Sequence, residues 1–349
     1  MPVNLLKIGL IGAGRIGSLH AEHLVTRIPS ARLLMVADAN EEAARTCAER
    51  YAIPYFTRNY VEILENIDIQ AVVICSSTDT HARIIEEAAQ MGKHIFCEKP
   101  IALDLLSIDR AITAVEQARV GRNLKLQIGF NRRFDANYRR VRQVVERAEI
   151  GRPHLLHITS RDPAPPPIGY IRVSGGLFLD MMIHDFDMAR FLIGDEVEEV
   201  FTLAGVMSDP AIGEAGDVDT AVVMLRFASG VIATIDNSRR AAYGYDQRVE
   251  LLGSAGAIST DNIYPNTAII SDGQCVRRDL PLHFFLERYT ESFVREMTAF
   301  VEAVQYDRPV PVSEQDGRAP VVMALAARRS MEEQRPVHLS EINAICSQQ

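Results

Sequence analysis

The sequence predicts an α/β chain in two parts: an N-terminal domain with a parallel sheet wrapped by helices, and a C-terminal α+β domain built on a large, mostly antiparallel, open-faced sheet. Three observations carry this. At 349 residues the chain exceeds one ordinary hydrophobic core. Up to about residue 130, strand-length runs that are apolar throughout alternate with helical periodicity, the pattern of a parallel sheet buried on both faces. Beyond it, β-type segments separated by turn signals dominate, with too few helices to cover both faces of their sheet. The expected division is 1–129 and 130–349.

Composition narrows the function classes. Hydrophobic residues make up 47% and charged residues 24% of the chain, and no apolar run approaches the ~18 to 20 residues that cross a bilayer. The N-terminus MPVNLLKIGLIGAGRIG shows no basic region followed by a long apolar core, so the expected compartment is the cytoplasm, with no membrane partner. Net charge is −9, and no Lys/Arg stripe alternates with aromatics, which argues against a nucleic-acid partner. Arg132-Arg133, Arg139-Arg140 and Arg239-Arg240 are isolated pairs, read as solvated faces or ion pairs. Five scattered cysteines (Cys47, Cys75, Cys97, Cys275, Cys346) have no metal-ligand spacing, so neither a disulfide framework nor a metal is expected.

In chain order, LLKIGLI (5–11) is a strand that breaks into Gly12-Ala13-Gly14-Arg15-Ile16-Gly17 and then into a helical pattern. This is the strand, glycine turn and helix of a Rossmann domain. The first glycine permits the tight turn, the second lets the backbone approach a pyrophosphate, and the third lets helix and strand pack closely. The helix N-terminus supplies free N–H groups for the phosphates. The next strand, RLLMVADA, ends at Asp38, where this fold places an acid that accepts the ribose hydroxyls. No Arg or Lys adjoins it, so NAD is expected over NADP; Asp38 as N-cap of the helix EEAARTCAERY is a compatible reading. A short helix (59–65), strands at 71–77, 94–100 and 124–130, and helices at 80–91 and 104–119 complete the domain. The crevice beyond the strand ends collects Ser76, Ser77, Thr78, His81, Glu98, Lys99 and Asn131. Of these, Ser76, Thr78, His81, Glu98 and Lys99 are expected on the cofactor side, with Gly12, Gly14, Arg15, Ile16, Gly17 and Asp38. Lys99 follows a buried strand and precedes Pro100, which restricts its backbone to extended or turn geometry. There a lysine can polarise a hydroxyl or carbonyl oxygen.

The second part begins with a helix (134–147) and the strand HLLHITSRD, followed by PAPPPIGY, too rich in proline for regular structure and read as a rigid loop. A single amphipathic helix is expected over 176–193. It would place Asp180, His184, Asp187 and Phe191 on one stripe and Phe178, Met181, Met188 and Leu192 on another. Asp180 and His184 then form an acid–base pair one turn apart, while Asp185 and Asp187 read as structural. Strands follow in EEVFTLAGVM, VDTAVVMLRF, VIATIDNSRR, DQRVELLGS, GAISTD, NTAIIS and CVRRDL, and helices at 286–305 and 316–334 close the chain. The sheet face left bare calls for a partner, and self-association is expected.

Laid out in this order, GLIGAGRIG, VADAN, CEKPIALD, GFNRRFD and GGLFLDMMIHDFDMARFL resemble the glucose-fructose oxidoreductase/inositol dehydrogenase (Gfo/Idh/MocA) family along essentially the whole chain. NSRRAAYGYDQRVELLGSAG, with SRDPAPPP and GEAGDVDTA, is similar to its inositol 2-dehydrogenase subgroup. The resemblance implies a Rossmann domain, an open-faced α/β domain that commonly builds a tetramer, and oxidation of a ring hydroxyl by NAD, with myo-inositol going to 2-keto-myo-inositol. It makes Lys99 the EKP lysine and His184 the proton acceptor, with Asp180 orienting substrate and interacting with Lys99. An imidazole titrating near neutral pH suits that task. It also implies Asn131, Arg132, Asp162, Asp180, His184 and Tyr245 as substrate contacts, with Tyr243 and Ser160 as further candidates. Some relatives carry His and Asn where this strand reads Ser160-Arg161-Asp162, which leaves the inositol isomer open. A dehydrogenase of another polyol or sugar is the near alternative. A non-catalytic nucleotide-binding regulator is the remote one, disfavoured because a sensor needs no Lys99, Asp180 and His184.

Overall fold

The computed structural model describes residues 5–346. The chain separates into two compact units, Met1–Asn131 with Glu291–Val321, and Arg132–Thr290 with Val322–Gln349. The first break lies close to the expected 129/130 division. The return of Glu291–Val321 to the first unit is not visible in the local pattern.

In the first unit six strands form one parallel sheet: β1 (Leu6–Ile11), β2 (Ala31–Ala37), β3 (Tyr55–Thr57), β4 (Ala71–Ile74), β5 (His94–Glu98) and β6 (Leu126–Gly129), in the order β3-β2-β1-β4-β5-β6. The order reverses between β1 and β4, so β1 with its glycine turn stands at the switch point where such sheets hold ligands. Leu6, Ile8, Leu10, Val36, Val73 and Phe96 form one buried cluster with Met297, Phe300 and Val301 of the helix Thr290–Gln305. That apolar stripe is why a late helix belongs to this unit. The strand β3 has only three residues, too few for a readable period.

The second unit is built on seven strands: β7 (Pro153–Arg161), β8 (Val197–Gly205), β9 (Thr220–Phe227), β10 (Ile232–Ser238), β11 (Asp246–Gly253), β12 (Gly256–Thr260) and, after two further short strands, β15 (Val337–His338). Their order is β12-β11-β7-β10-β9-β8-β15, with β7 and β10 parallel and the other neighbours antiparallel. Side chains alternate between faces: along β9, Ala221, Val223, Leu225 and Phe227 are buried while Val222 and Met224 are exposed. The expected strands NTAIIS and CVRRDL do form, as β13 (Ile269–Ser271) and β14 (Val276–Arg278), but they make a separate two-stranded ribbon.

Two local expectations need correction. The helix expected over 176–193 is two helices, Gly176–Asp180 and Ile183–Ile193. Met182 N–H donates to Leu177 O, five residues back, so the helical register slips between Asp180 and His184. Met181, Met182 and Ile183 are all buried, a consecutive run that one helical stripe cannot accommodate. The proline-rich loop is also not wholly irregular, since its end forms a one-turn helix, Ile168–Ile171.

Candidate functional site

In the first unit the three glycines have distinct steric reasons. Gly12 has φ +97°, and a Cβ there would lie 2.5 Å from Cys75 backbone atoms; a Cβ on Gly17 would lie 1.9 Å from Gly12 O. At Gly14, which precedes the helix Arg15–Thr26, a Cβ would meet no heavy atom within 4 Å. Gly12 and Gly17 are therefore required by the protein's own packing, whereas the open space at Gly14 fits a pyrophosphate approaching the helix N-terminus. Arg15 is exposed and Ile16 half-buried beside it. The residues present thus fit a dinucleotide.

Asp38 closes this turn: Oδ2 accepts from Ala13 N at 2.7 Å and Oδ1 from Asn40 N at 2.8 Å. The N-cap of the next helix is Asn40, which accepts from Glu42 N, so the capping role considered for Asp38 belongs two residues later. Each carboxylate oxygen has lone-pair capacity beyond one N–H, which leaves Asp38 able to accept a ribose hydroxyl.

At the ends of β4 and β5, Ser76 Oγ bonds Thr80 Oγ1 at 2.7 Å, and Thr78 opens the helix Thr78–Gln90. His81 is buried, with Nδ1 2.8 Å from Pro100 O and Nε2 2.9 Å from Ser76 O. Burial, only partly offset by those carbonyls, lowers its pKa. Both ring nitrogens face backbone carbonyls, and the neutral ring can donate to only one of them at a time. Glu98 is likewise paired within this unit. Its Oε1 is 2.8 Å from Nε2 of buried His20, and its Oε2 lies where a Cβ on Gly129 would be 2.9 Å away. The carboxylate faces the protein and steadies the strand end that carries Lys99. Lys99 is half-buried, its bond to Pro100 is cis, and Asn131 is buried at the unit's edge.

In the second unit, Asp180 and His184 lie on either side of the slip between the two short helices. The first helix starts where Gly175 and Gly176 take φ +88° and +78°, values that favour glycine. Asp180 accepts from Tyr170 Oη at 2.9 Å and from Arg239 Nη1 at 3.4 Å. His184 is half-buried in the first turn of its helix.

The next helical residues anchor the site from behind. Asp185 is fully buried, accepting from Arg132 Nη1 at 2.6 Å and from Asn237 Nδ2 at 2.9 Å. Burial raises its pKa, and the Arg132 guanidinium opposes that shift. Arg132 also donates to Ser160 Oγ and, at 3.4 Å, to Tyr245 Oη, and stands 5.7 Å from the Tyr289 ring centre. Tyr245 is buried, which raises its phenol pKa. Arg133 grips Asp187 through Nε and Nη2, at 3.0 and 2.6 Å, and covers the Phe191 ring. The structural reading of Asp185 and Asp187 matches this geometry.

Asp162, half-buried at the exit of β7, is a strongly perturbed acid. Burial raises its pKa to about 6 against the pull of Arg239 and Arg132. Tyr243, by contrast, is turned away: its hydroxyl donates to Asp246 Oδ2 at 2.6 Å and accepts from Arg161 at 3.0 Å. Arg239 is the residue that sequence reasoning missed. Expected as one of a solvated or paired couple, it is 1% exposed. Its signal was a doubled arginine leaving an alternating strand, which one sequence cannot tell from a surface pair.

Residues 6–123 match the family model described as "Oxidoreductase family, NAD-binding Rossmann fold", and residues 138–259 match "GFO/IDH/MocA C-terminal domain". The chain is 48% identical to a myo-inositol 2-dehydrogenase of Thermotoga maritima, over 97% of this chain and 99% of that protein. It is 46% identical to an inositol 2-dehydrogenase of Rhizobium meliloti, over 96% and 99%. Among solved structures, scyllo-inositol dehydrogenase of Lactobacillus casei with bound NAD(H) and scyllo-inositol superposes with a TM-score of 0.90 at 30% identity, covering 97% of this chain and all of that one.

Proposed function

The chain belongs to the GFO/IDH/MocA oxidoreductase family and is an NAD-dependent dehydrogenase, and from that premise we propose that it oxidises a ring hydroxyl of an inositol, converting myo-inositol to 2-keto-myo-inositol. The observation that carries the substrate is near-half identity along the whole chain to a myo-inositol 2-dehydrogenase. The buried polar array of Arg132, Ser160 and Tyr245, braced by Asp185, supports it, because a polyol needs several fixed donors and acceptors and such a site rejects analogues lacking a hydroxyl. A second reading, another inositol isomer, rests on the strand Ser160-Arg161-Asp162, which differs from the His and Asn that some relatives carry there.

Bound NAD supplies the hydride acceptor. In our reading His184 takes the hydroxyl proton, so that the oxygen becomes a carbonyl as its carbon loses hydride. Asp180 orients the substrate, Lys99 polarises the reacting oxygen, and Asn131, Arg132, Asp162 and Tyr245 hold other ring hydroxyls. Gly12, Gly14, Arg15, Ile16, Gly17, Asp38, Ser76 and Thr78 form the cofactor side, with His81 and Glu98 shaping it from within. Domains 1–129 and 130–349 would divide those tasks, apart from residues 291–321, which belong to the first unit, and the cytoplasm is the compartment we propose on the strength of the NAD requirement.

Self-association through the open sheet face, as a homotetramer, is part of this reading. Leu155, Leu203, Val222, Met224, Ile232 and Leu252 are exposed at 43% to 66%, on strands whose alternate residues are buried. Light scattering at micromolar concentration is expected to give a multiple of the 38.8 kDa chain mass, and a monomeric mass contradicts it. The function itself is tested by following NADH absorbance with myo-, scyllo- and D-chiro-inositol and a few hexoses. Turnover is expected with an inositol, and no turnover with any of them overturns the proposal.

A further inference from the structure

Arg239 leaves β10 with its backbone N–H bonded to Asp219 O at 2.8 Å, and its side chain runs fully into the second unit. A guanidinium so buried needs counter-charges, because an unpaired buried ion is strongly destabilising. Two carboxylates provide them: Nη1 is 3.4 Å from Asp180 Oδ2, and Nη2 is 3.4 Å from Asp217 Oδ2. Its Nε has no partner among the described residues.

Asp217 is itself fixed. Its Oδ1 accepts from Leu177 N at 3.0 Å, in the first turn of the helix that ends at Asp180. A Cβ on Gly176 would lie 2.6 Å from that same oxygen, so glycine is needed for the carboxylate to come so close. The helix has five residues, far too few to persist by propensity. Its start is held by Asp217, and its final residue, Asp180, is reached from opposite sides by Tyr170 at Oδ1 and Arg239 at Oδ2.

We infer that Arg239 is a positioning residue for Asp180: with Asp217 it forms a clamp that spans the helix Gly176–Asp180 from its first turn to its last residue and fixes the rotamer of the Asp180 carboxylate. Arg239 is 1% exposed, and the role we assign it runs through the Asp180 carboxylate that it contacts. The clamp matters for turnover only under the dehydrogenase reading above, in which Asp180 orients the substrate.

The test is a double-mutant cycle on the full chain, with Arg239→Met and Arg239→Lys in the native and the Asp180→Asn backgrounds. Misplacing a substrate-orienting group by about 1 Å costs on the order of 100-fold. Arg239→Met is therefore expected to lower kcat by about 10- to 100-fold, with the NAD Kd unchanged within about 2-fold and part of the loss recovered by Arg239→Lys. In the Asp180→Asn background the same change should cost less than about 3-fold. Equal losses in both backgrounds, or native kcat in Arg239→Met, overturn the clamp. Should Arg239→Met fail to fold, Asp217→Asn reads the clamp from its other end, keeping the acceptor for Leu177 N while removing the charge; a fall in kcat supports the clamp and native kcat overturns it. The same cycle on thermal midpoints needs no turnover. If the native protein oxidises no inositol, the functional reading falls, and the clamp is judged by whether the midpoint losses couple, which supports it, or add, which overturns it.

Discussion

The cofactor side and the polyol side of this protein are built on different physical plans. In the first unit the functional geometry is made of backbone: Gly12, Gly14 and Gly17 act through what a Cβ would strike, and Asp38 acts through two backbone N–H groups within 25 residues. In the second, charges from distant segments hold the side chains around the site. Arg132 reaches Asp185 across 53 positions, and Arg239 reaches Asp180 across 59. A backbone device is specified locally and resists change at a few glycines. A side-chain network is specified globally and spreads its sensitivity over every partner.

The sharpest way to break the comparison is at the glycines. Gly17→Ala forces a Cβ to 1.9 Å from Gly12 O, so it should lower the thermal midpoint and weaken NAD binding by about 100-fold, the effect of roughly 3 kcal/mol of overpacking. Gly14→Ala should weaken NAD binding with the midpoint of the free protein unchanged, because its Cβ meets nothing of the chain. Fluorescence titration with NADH beside thermal melts separates the two; identical behaviour of both variants would remove the distinction between packing and ligand glycines.

A smaller effect is expected at Asp162 on the polyol side. Its folded pKa of about 6 lies above the ordinary 3.8, so its protonation favours the folded state at low pH, and this contribution is lost as pH rises through 6. Asp162→Asn should therefore stabilise the free protein above pH 7 by on the order of 2 kcal/mol, a gain that vanishes below about pH 4. Chemical denaturation at pH 4, 6 and 8 checks this, and a gain independent of pH contradicts it. Smallest is Asp38→Ala, which removes an acceptor from Ala13 N and from the ribose. The kcat/KM preference for NAD over NADP should relax by about 10-fold, the worth of roughly one charged hydrogen bond. Unchanged selectivity would leave Asp38 only its role at the glycine turn.

The same contrast explains what was legible. The parallel sheet of the first unit, apart from β3, the glycine turn and the Asp38 position follow from contiguous residues, and the alternation along β9 and β11 announced the second sheet. Helical periodicity around Asp180 was legible too, but the slip at Met181–Met182 was not, because it answers to buried neighbours on every side. His81 and Glu98 were legible at the strand ends, but not the partners they meet there, Pro100 O and His20, because those are fixed by tertiary packing. Arg239 was named only as half of a pair. Its burial depends on Asp217, which lies within the GEAGDVDTA segment but was given no role of its own.

We propose that His184 accepts the proton while Lys99 polarises the reacting oxygen, neither being needed to hold NAD. Steady-state NADH formation from myo-inositol by His184→Ala and Lys99→Ala, with NAD affinity measured in parallel, tests it most directly. The expected result is a loss of roughly 100- to 10,000-fold in kcat for each variant, the range of general acid–base catalysis, with NAD affinity close to native. Near-native kcat in either variant would contradict the role assigned to that residue.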